Sequence, residues 1–175
     1  MYKRQDRHKE HGDGYLAFKM NQLVDRECIE SLYEASRAGV TIKLQIRGIC
    51  CLVPGVEGIS DTIEVTSIVG PFLEHCRIFY FHNGGEEEVL IGSADLMPRN
   101  LDRRIEVLVP VLDPRIRSHI YNDILKVHLM DNHKARYLLK DGSYRRAERK
   151  SSPKIDAQKV MMEYEGGWNY TGEEI

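Results

Sequence analysis

Three observations predict an α/β fold built as a mixed sheet flanked by helices. A strand, a helix and a second strand follow one another with short returns between residues 15 and 46. A unit of that kind sets its two strands parallel and joins them by a right-handed crossover. Later, two pairs of short apolar segments flank glycine turns, Asn83-Gly84-Gly85 and Asp141-Gly142, and these add antiparallel members. The third observation is composition. The chain is 42% apolar and 30% charged over 175 residues, the balance of a single globular domain. A chain of that size buries about two thirds of the surface its unfolded form exposes.

Residues 1–14 are charged, end in Gly-Asp-Gly, and read as a leader or a truncated helix end. His8 and His11 share a face there if the segment is helical, but no carboxylate or thiolate cluster joins them, so a solvated face is expected. Tyr15–Met20 is a short apolar strand. Asp25 caps a helix in which Ile29, Leu32, Tyr33 and Ala35 recur at helical spacing, and Gly39 stops it. Val40–Ile46 alternates as a strand, and the Gly- and Pro-containing stretch 49–61 is a loop. Thr62–Val69 is a strand, Arg77–Phe81 and Val89–Ile91 form the first hairpin, and Ile105–Val111 is a further strand. Pro114–Met130 is one helix, entered through an Asp113 cap with proline at the first helical position. Ala135–Leu139 and Tyr144–Arg146 make the second hairpin. Arg145–Lys154 reads as a solvated basic loop, because a nucleic-acid surface would interleave aromatic residues with the charges. Ile155–Tyr164 is the last helix. The domain thus spans residues 15–165, with 166–175 a loose tail.

Twenty-five basic and 27 acidic side chains leave a net charge of −2, so nothing draws the whole surface toward nucleic acid or membrane. Any anion site must be local and built from a few arginines. Cys28, Cys50, Cys51 and Cys76 form no CxxC pair and read as reduced thiols of a cytoplasmic protein. The polar start carries no secretory signal, and no apolar run reaches the roughly 20 residues that span a bilayer.

The chemistry concentrates between Phe72 and Arg104. Strand alternation from His75 puts His75, Arg77 and Phe79 on one face, and Cys76, Ile78 and Tyr80 on the other. A Cys76–His75 dyad is thereby disfavoured, whereas His75 and Arg77 can both donate to one phosphate. Gly92-Ser93-Ala94-Asp95 follows the next strand. Its glycine and small hydroxyl leave room for ligand oxygens, and Asp95 can hold a histidine or arginine in orientation. Arg99, Arg103 and Arg104 put three guanidinium groups within six residues. Arg47 ends the second strand, and α/β sheets gather ligands outside the carboxyl ends of their strands. Singly these features fit a packed histidine, a plain turn and a solvated loop. Together they form a phosphate-handling set with one histidine, which is half of a site.

The order His-x-basic followed by Gly-Ser-x-Asp resembles the phospholipase D superfamily, whose pattern is His-x-Lys then Gly-Ser-x-Asn. Arg77, His82 and Asp95 depart from it, which speaks against ordinary phosphodiester hydrolysis. A closer resemblance covers the chain from about Phe18. LVDRECIESLYEASRAGVTIKLQIRGICCLVPGVEGIS, FLEHCRIFYFHNGG and SADLMPRNLDRRIEV, with the LDPRIRSHIYNDIL helix and the YLLKDGSY hairpin, are similar to the C-terminal part of the long, histidine-phosphorylating polyphosphate kinases of bacteria. That resemblance implies a phospholipase D-like sheet forming one half of a pseudo-twofold active site. It implies reversible transfer of the terminal phosphate of ATP to polyphosphate, through a phosphohistidine on a domain this chain lacks. It implies Arg47 and His75 as ligands of the nucleotide phosphates, His75 as the second active-site histidine, and Arg104 as a further phosphate-binding arginine. Magnesium is expected with ATP or ADP in the complete enzyme, though no carboxylate cluster here would hold it. The implied partners are ATP, polyphosphate and the missing N-terminal and first catalytic domains. Homo-oligomerisation and peripheral membrane association are compatible with this, and nucleic acid is not a partner. The rival readings are a phospholipase D-type half-domain with His75 as nucleophile, and a non-catalytic polyphosphate- or anion-binding module.

Overall fold

β-branched and aromatic residues fill the short segments that the sequence marks as strands, and such residues suit a pleated, buried surface. All of them join one sheet. The computed structural model describes residues 12–148 and 151–164, so the expectations for residues 1–11 (His8 and His11 included), 149–150 and the tail from 165 lie outside the described residues. The strands are β1 (Tyr15–Met20), β2 (Thr41–Ile46), β3 (Ile63–Ser67), β4 (Arg77–Phe81), β5 (Glu88–Gly92), β6 (Leu108–Pro110), β7 (Arg136–Leu138) and β8 (Tyr144–Arg146). The helices are α1 (Arg26–Arg37), α2 (Pro98–Asp102), α3 (Pro114–His119), α4 (Lys126–Leu129) and α5 (Ala157–Glu163). The sheet runs β6-β5-β4-β1-β2-β3-β7-β8. Its centre, β1, β2 and β3, is parallel, and every other pairing is antiparallel.

That topology fixes where the ends of the strands lie. Lys19 pairs with Ile78, Arg77 with Gly92, Gly92 with Leu108, Ser67 with Arg136, and Arg136 with Arg146. The carboxyl ends of β1, β2 and β3, the starts of β4, β6 and β7, and the ends of β5 and β8 therefore all meet at one edge.

Period-2 alternation gives the sheet two apolar faces. Leu16, Phe18, Met20, Ile42, Leu44 and Ile46 are buried together with Ile29, Leu32 and Ala35 of α1. Phe18 lies edge-on to Phe79 and Phe81, with ring centroids 5.2 and 5.1 Å away. On the opposite face Ala17, Ile78, Tyr80 and Val89 pack against Ile120 and Leu125. As expected, the Asp25 carboxylate caps α1 by accepting from the Cys28 amide at 2.9 Å.

Five local expectations are corrected. The Pro114–Met130 helix is interrupted by a π-helical turn at Ile120–Leu125. That wide turn carries Tyr121, whose ring stacks on Tyr80 at 4.0 Å. The expected Ile105–Val111 strand shrinks to Leu108–Pro110, the only part in register with β5. The Asn83-Gly84-Gly85 turn is a 3₁₀ turn with φ of 50°, 62° and 90°, so β5 starts at Glu88. The last helix starts at Ala157 after an Asp156 cap rather than at Ile155. Finally β4 begins at Arg77, because β1 runs out of pairing partners there, and His75 lies before the strand.

Asp131 fastens the segment that leads into β7 to the start of α5. One carboxylate oxygen accepts from the amides of His133, Lys134 and Ala135 at 2.9, 2.7 and 3.0 Å, and the other from Ala157 at 2.8 Å. It is 2% exposed, and its bonds to Ala135 and Ala157 are buried, where water does not replace it. Asp131→Ala leaves four donors without an acceptor. At about 1–3 kcal/mol for a buried unpaired group, the substitution is expected to cost about 3 kcal/mol or more, read as a lowered midpoint in urea denaturation. A shift below about 0.5 kcal/mol would refute the clamp.

Candidate phosphate-binding site

Arg77, the first residue of β4, organises the edge. Its Nε and Nη2 donate to the two carboxylate oxygens of Asp95 at 3.1 and 3.0 Å. Asp95 also accepts from the backbone amides of Asn21 and Gln22 at 2.7 and 3.1 Å. Both side chains are buried. With its amide oxygen toward Arg77, Asn21 accepts from Nη2 at 3.2 Å and donates to the Glu74 carbonyl at 3.0 Å. Asp95 does orient an arginine, as its place in the sequence suggests. Arg77 is not an open phosphate donor alongside His75, because its fork is already committed to Asp95. What remains of it, Nη1, meets the carbonyl of His75 and lies 3.2 Å from His75 Nδ1. Arg77 therefore orients the imidazole from below while His75 is exposed at the edge.

A second clamp holds the same segment. The Glu74 carboxylate meets Lys19 Nζ at 2.8 Å, His128 Nε2 at 2.7 Å and Gln158 Nε2 at 2.9 Å. Gln158 also donates to the Phe72 carbonyl at 3.0 Å. Burial by itself would raise the Glu74 pKa. Hydrogen bonds and charge from His128 and Lys19 overcome that and hold the carboxyl well below the usual carboxylate range. The sequence reading named Arg77 but missed this clamp. Its one legible signal is Lys19, a cation in an otherwise apolar strand and only 3% exposed, which demands a buried partner.

Gly92 and Ser93 prove structural. A Cβ on Gly92 would lie 2.3 Å from the Val107 carbonyl oxygen, so the glycine admits the approach to β6 rather than a ligand. The Ser93 hydroxyl donates to Glu106 and accepts from the Val107 amide. Asn100 also donates to Glu106. These two donors, aided by the nearby Arg104 charge, hold the Glu106 carboxyl below its ordinary value. Arg103 and Arg104 are exposed between α2 and β6, and Arg99 is exposed within α2. Topology puts Arg104 just ahead of the start of β6, on the side of the edge opposite Arg47.

Arg47 leaves β2 at the same edge. Its amide donates to the Met20 carbonyl at 3.2 Å, and its carbonyl accepts from the Ser67 hydroxyl at 3.0 Å. Its Nε is buried without a hydrogen-bond partner. The side chain lines a cleft of about 470 Å³ with Ser67, Lys134, Arg136, Tyr144 and Arg146. Lys134 is paired with Asp156 at 3.1 Å. None of the described residues lining the cleft is acidic, so the guanidinium groups there lack a compensating charge. Arg146, read from sequence as part of a solvated loop, belongs to this cleft, because the β7–β8 register sets it beside Arg136. Among the described residues no three His, Cys, Asp or Glu side chains converge to hold a metal, and no helix is long and apolar enough to cross a membrane. The four cysteines are free, and burial pushes Cys28 up to about 12 and Cys50 to about 11, far from thiolate chemistry.

The Glu74 clamp sets a pH dependence. A carboxyl depressed on folding contributes stability that is full above its unfolded pKa, about 4.3, and is lost as pH falls through the folded value. The stability gap between the wild type and Glu74→Gln is expected to be constant from neutral pH to about 5 and to narrow below about 4. Urea midpoints across that range measure it. A gap that widens on acidification contradicts an ionised Glu74.

Known proteins resemble this chain along most of its length. Residues 1–158 match the family model described as polyphosphate kinase C-terminal domain 2. A polyphosphate kinase of Prosthecochloris aestuarii is 49% identical over 156 residues, 89% of this chain and 22% of that protein. One from Rhodopirellula baltica is 51% identical over 157 residues, covering 89% and 18%. The crystal structure of polyphosphate kinase from Porphyromonas gingivalis superposes with a TM-score of 0.86 at 46% identity, over 92% of this chain and 25% of that one. The chain thus spans about a fifth of the length of the curated relatives it matches. Its phospholipase D-like mixed sheet is that of the solved relative. With the family model covering nearly all the described residues, the chain belongs to the polyphosphate kinase C-terminal domain 2 family.

Proposed function

We propose that this chain supplies one half of the catalytic centre of a polyphosphate kinase, which reversibly transfers the terminal phosphate of ATP to polyphosphate. The phosphorylated histidine lies on a domain outside this chain. The observation that carries the reading is the cleft at Arg47, where a buried guanidinium Nε has no partner and the neighbouring Arg136 and Arg146 meet no acid among the described lining residues. A buried guanidinium N–H is ordinarily hydrogen-bonded, so a cleft that leaves the Arg47 Nε unpartnered beside two exposed arginines is suited to an anionic ligand.

Phosphoryl transfer rests on positioning and on neutralising charge that spreads over the phosphate oxygens. Arg47 holds such oxygens from the β2 side. Arg104 meets them from the β6 side. His75, oriented by Arg77 and anchored through Glu74, faces the histidine of the other half. As the bond from the terminal phosphorus to its bridging oxygen breaks and a bond to the nitrogen of the facing histidine forms, His75, its Nδ1 turned to Arg77, directs Nε2 as a hydrogen-bond donor at the departing oxygen; in the reverse direction it steadies the same oxygen as that oxygen attacks. The described residues do not form a carboxylate cage for Mg²⁺. Magnesium entering with the nucleotide would have to be held by the phosphates and water, and would supply charge neutralisation there. The phosphodiesterase reading is weakened by Arg77, which stands where that family has its lysine and is consumed by Asp95.

The 175-residue chain is expected to take up no label from ATP labelled in its terminal phosphate. Stable labelling of a histidine on it would sink the half-site reading. In the full-length enzyme, His75→Ala is expected to lower turnover by about 10²-fold or more, the scale of losing a positioned acid or charge donor. Arg47→Ala should cost about 2–3 kcal/mol of transition-state stabilisation, read from kcat/KM. Near-normal rates for either variant would remove its assigned role.

A further inference from the structure

The segment that leads into His75 is held by polar contacts, because its side chains at Phe72 and Leu73 are exposed and bury little. One of those contacts comes from the last helix. Gln158, the second residue of α5, is buried. Its Nε2 donates to the Phe72 carbonyl at 3.0 Å and to the Glu74 carboxylate at 2.9 Å. Both partners are acceptors only, which fixes the orientation of the amide. Among the described residues its Oε1 has no hydrogen-bond partner. A Cβ on Gly70 would stand 1.9 Å from that oxygen, so the glycine makes room for the amide. The other two donors to Glu74 differ in kind. Lys19 brings a charge. So does His128, whose Nδ1 faces the Ile124 carbonyl at 2.8 Å and whose Nε2 faces Glu74 at 2.7 Å, so that both ring nitrogens carry hydrogen. Those two cations already compensate the carboxylate. Gln158 is neutral and adds no compensation; what it contributes is direction.

We propose that Gln158 is a positioning residue for phosphoryl transfer: its amide sets the path of residues 70–74 and, through Glu74, the place of the His75 imidazole. Arg77 holds His75 from the β4 side. Gln158 holds the residues ahead of it, and of the three donors to the Glu74 carboxylate it is the one that also grips the main chain of this segment. Misplacing a reacting group by about 1 Å can cost about 10²-fold in rate, so a side chain that never meets substrate can govern turnover. The inference rests on the half-site reading, in which His75 meets the departing oxygen.

The test is steady-state kinetics of the full-length enzyme with Gln158→Ala, Gly70→Ala, the two together, and Gln158→Glu. Gln158→Ala is expected to lower kcat about tenfold and to leave KM for ATP within about twofold, because the nucleotide is gripped at Arg47 rather than through this amide. Gly70→Ala pushes the amide aside without altering it and is expected to cost about as much. Once the amide is gone the added methyl no longer meets it, so the pair should lose no more than Gln158→Ala alone. Gln158→Glu sets a second carboxyl against Glu74, beside Lys19 and His128. As pH falls toward about 5 one of the two facing carboxyls takes up a proton and restores a donor, so the rate relative to the wild type is expected to rise. Near-normal kcat for Gln158→Ala, additive losses in the pair, or a flat pH ratio for Gln158→Glu overturns the proposal. If Gln158→Ala does not fold, that pH ratio decides alone. Lys159→Ala, on the exposed side of the same helix, is expected to leave kcat unchanged; an equal loss there assigns the effect to the helix as a whole and also overturns it. His75→Ala separates the two ideas. Turnover that survives it defeats the half-site reading, whereas turnover that falls with His75→Ala and survives Gln158→Ala defeats this inference only.

Discussion

Arg77 and Asp95 are buried charges, and burial of charge is tolerated only where the partner is close and the remaining hydrogen-bonding capacity is filled. Both conditions are met. The fork is bidentate, and Asp95 spends its other capacity on the amides of Asn21 and Gln22. Three strands are joined by this one pair: the end of β1, the start of β4 and the turn after β5. The site grows from those same ends, so its geometry inherits their rigidity. His75 is exposed and outside any strand, yet Arg77 beneath it and the Glu74 clamp beside it hold it from two directions.

The cations at this edge fall into two groups, and compensation separates them. Lys19 and Arg77 are buried and paired with Glu74 and Asp95, and their work is architectural. Arg47, Arg136 and Arg146 line a cleft with no acidic wall. Charge that the fold leaves uncompensated is available to a ligand. Such a local concentration of cations coexists with a net charge of −2, because net charge sums over the whole surface whereas an anion site needs only a few side chains.

Sheet topology sets the scale of the site. A parallel centre flanked by antiparallel pairs gathers the ends of β1 to β3 with the starts of β4, β6 and β7. Residues far apart in sequence, such as Arg47 and Arg146, thereby line one cleft.

Much of this was legible in residue order. The apolar segments, the Asp25 cap and the glycine turns determine the sheet and α1, because they depend on neighbours within a few residues. The motifs RGICC, FLEH and RNLDRR determined the family and singled out Arg47, His75 and Arg104. Local pattern failed where a remote contact decides. It extended β4 to His75, although pairing with β1 ends sooner. It made Arg77 a ligand, Gly92 and Ser93 a ligand cradle and Arg146 a loop residue. Asp95, Val107, Glu106 and Arg136 settle those roles instead, at separations of up to 18 residues along the chain. The Glu74 clamp was wholly hidden, since its partners Lys19, His128 and Gln158 come from three separate elements. The sequence by itself determined which chemical groups the protein carries. The tertiary structure alone decided which charges are neutralised inside the fold and which face outward, because compensation depends on distance and burial, and neither is a property of neighbours along the chain.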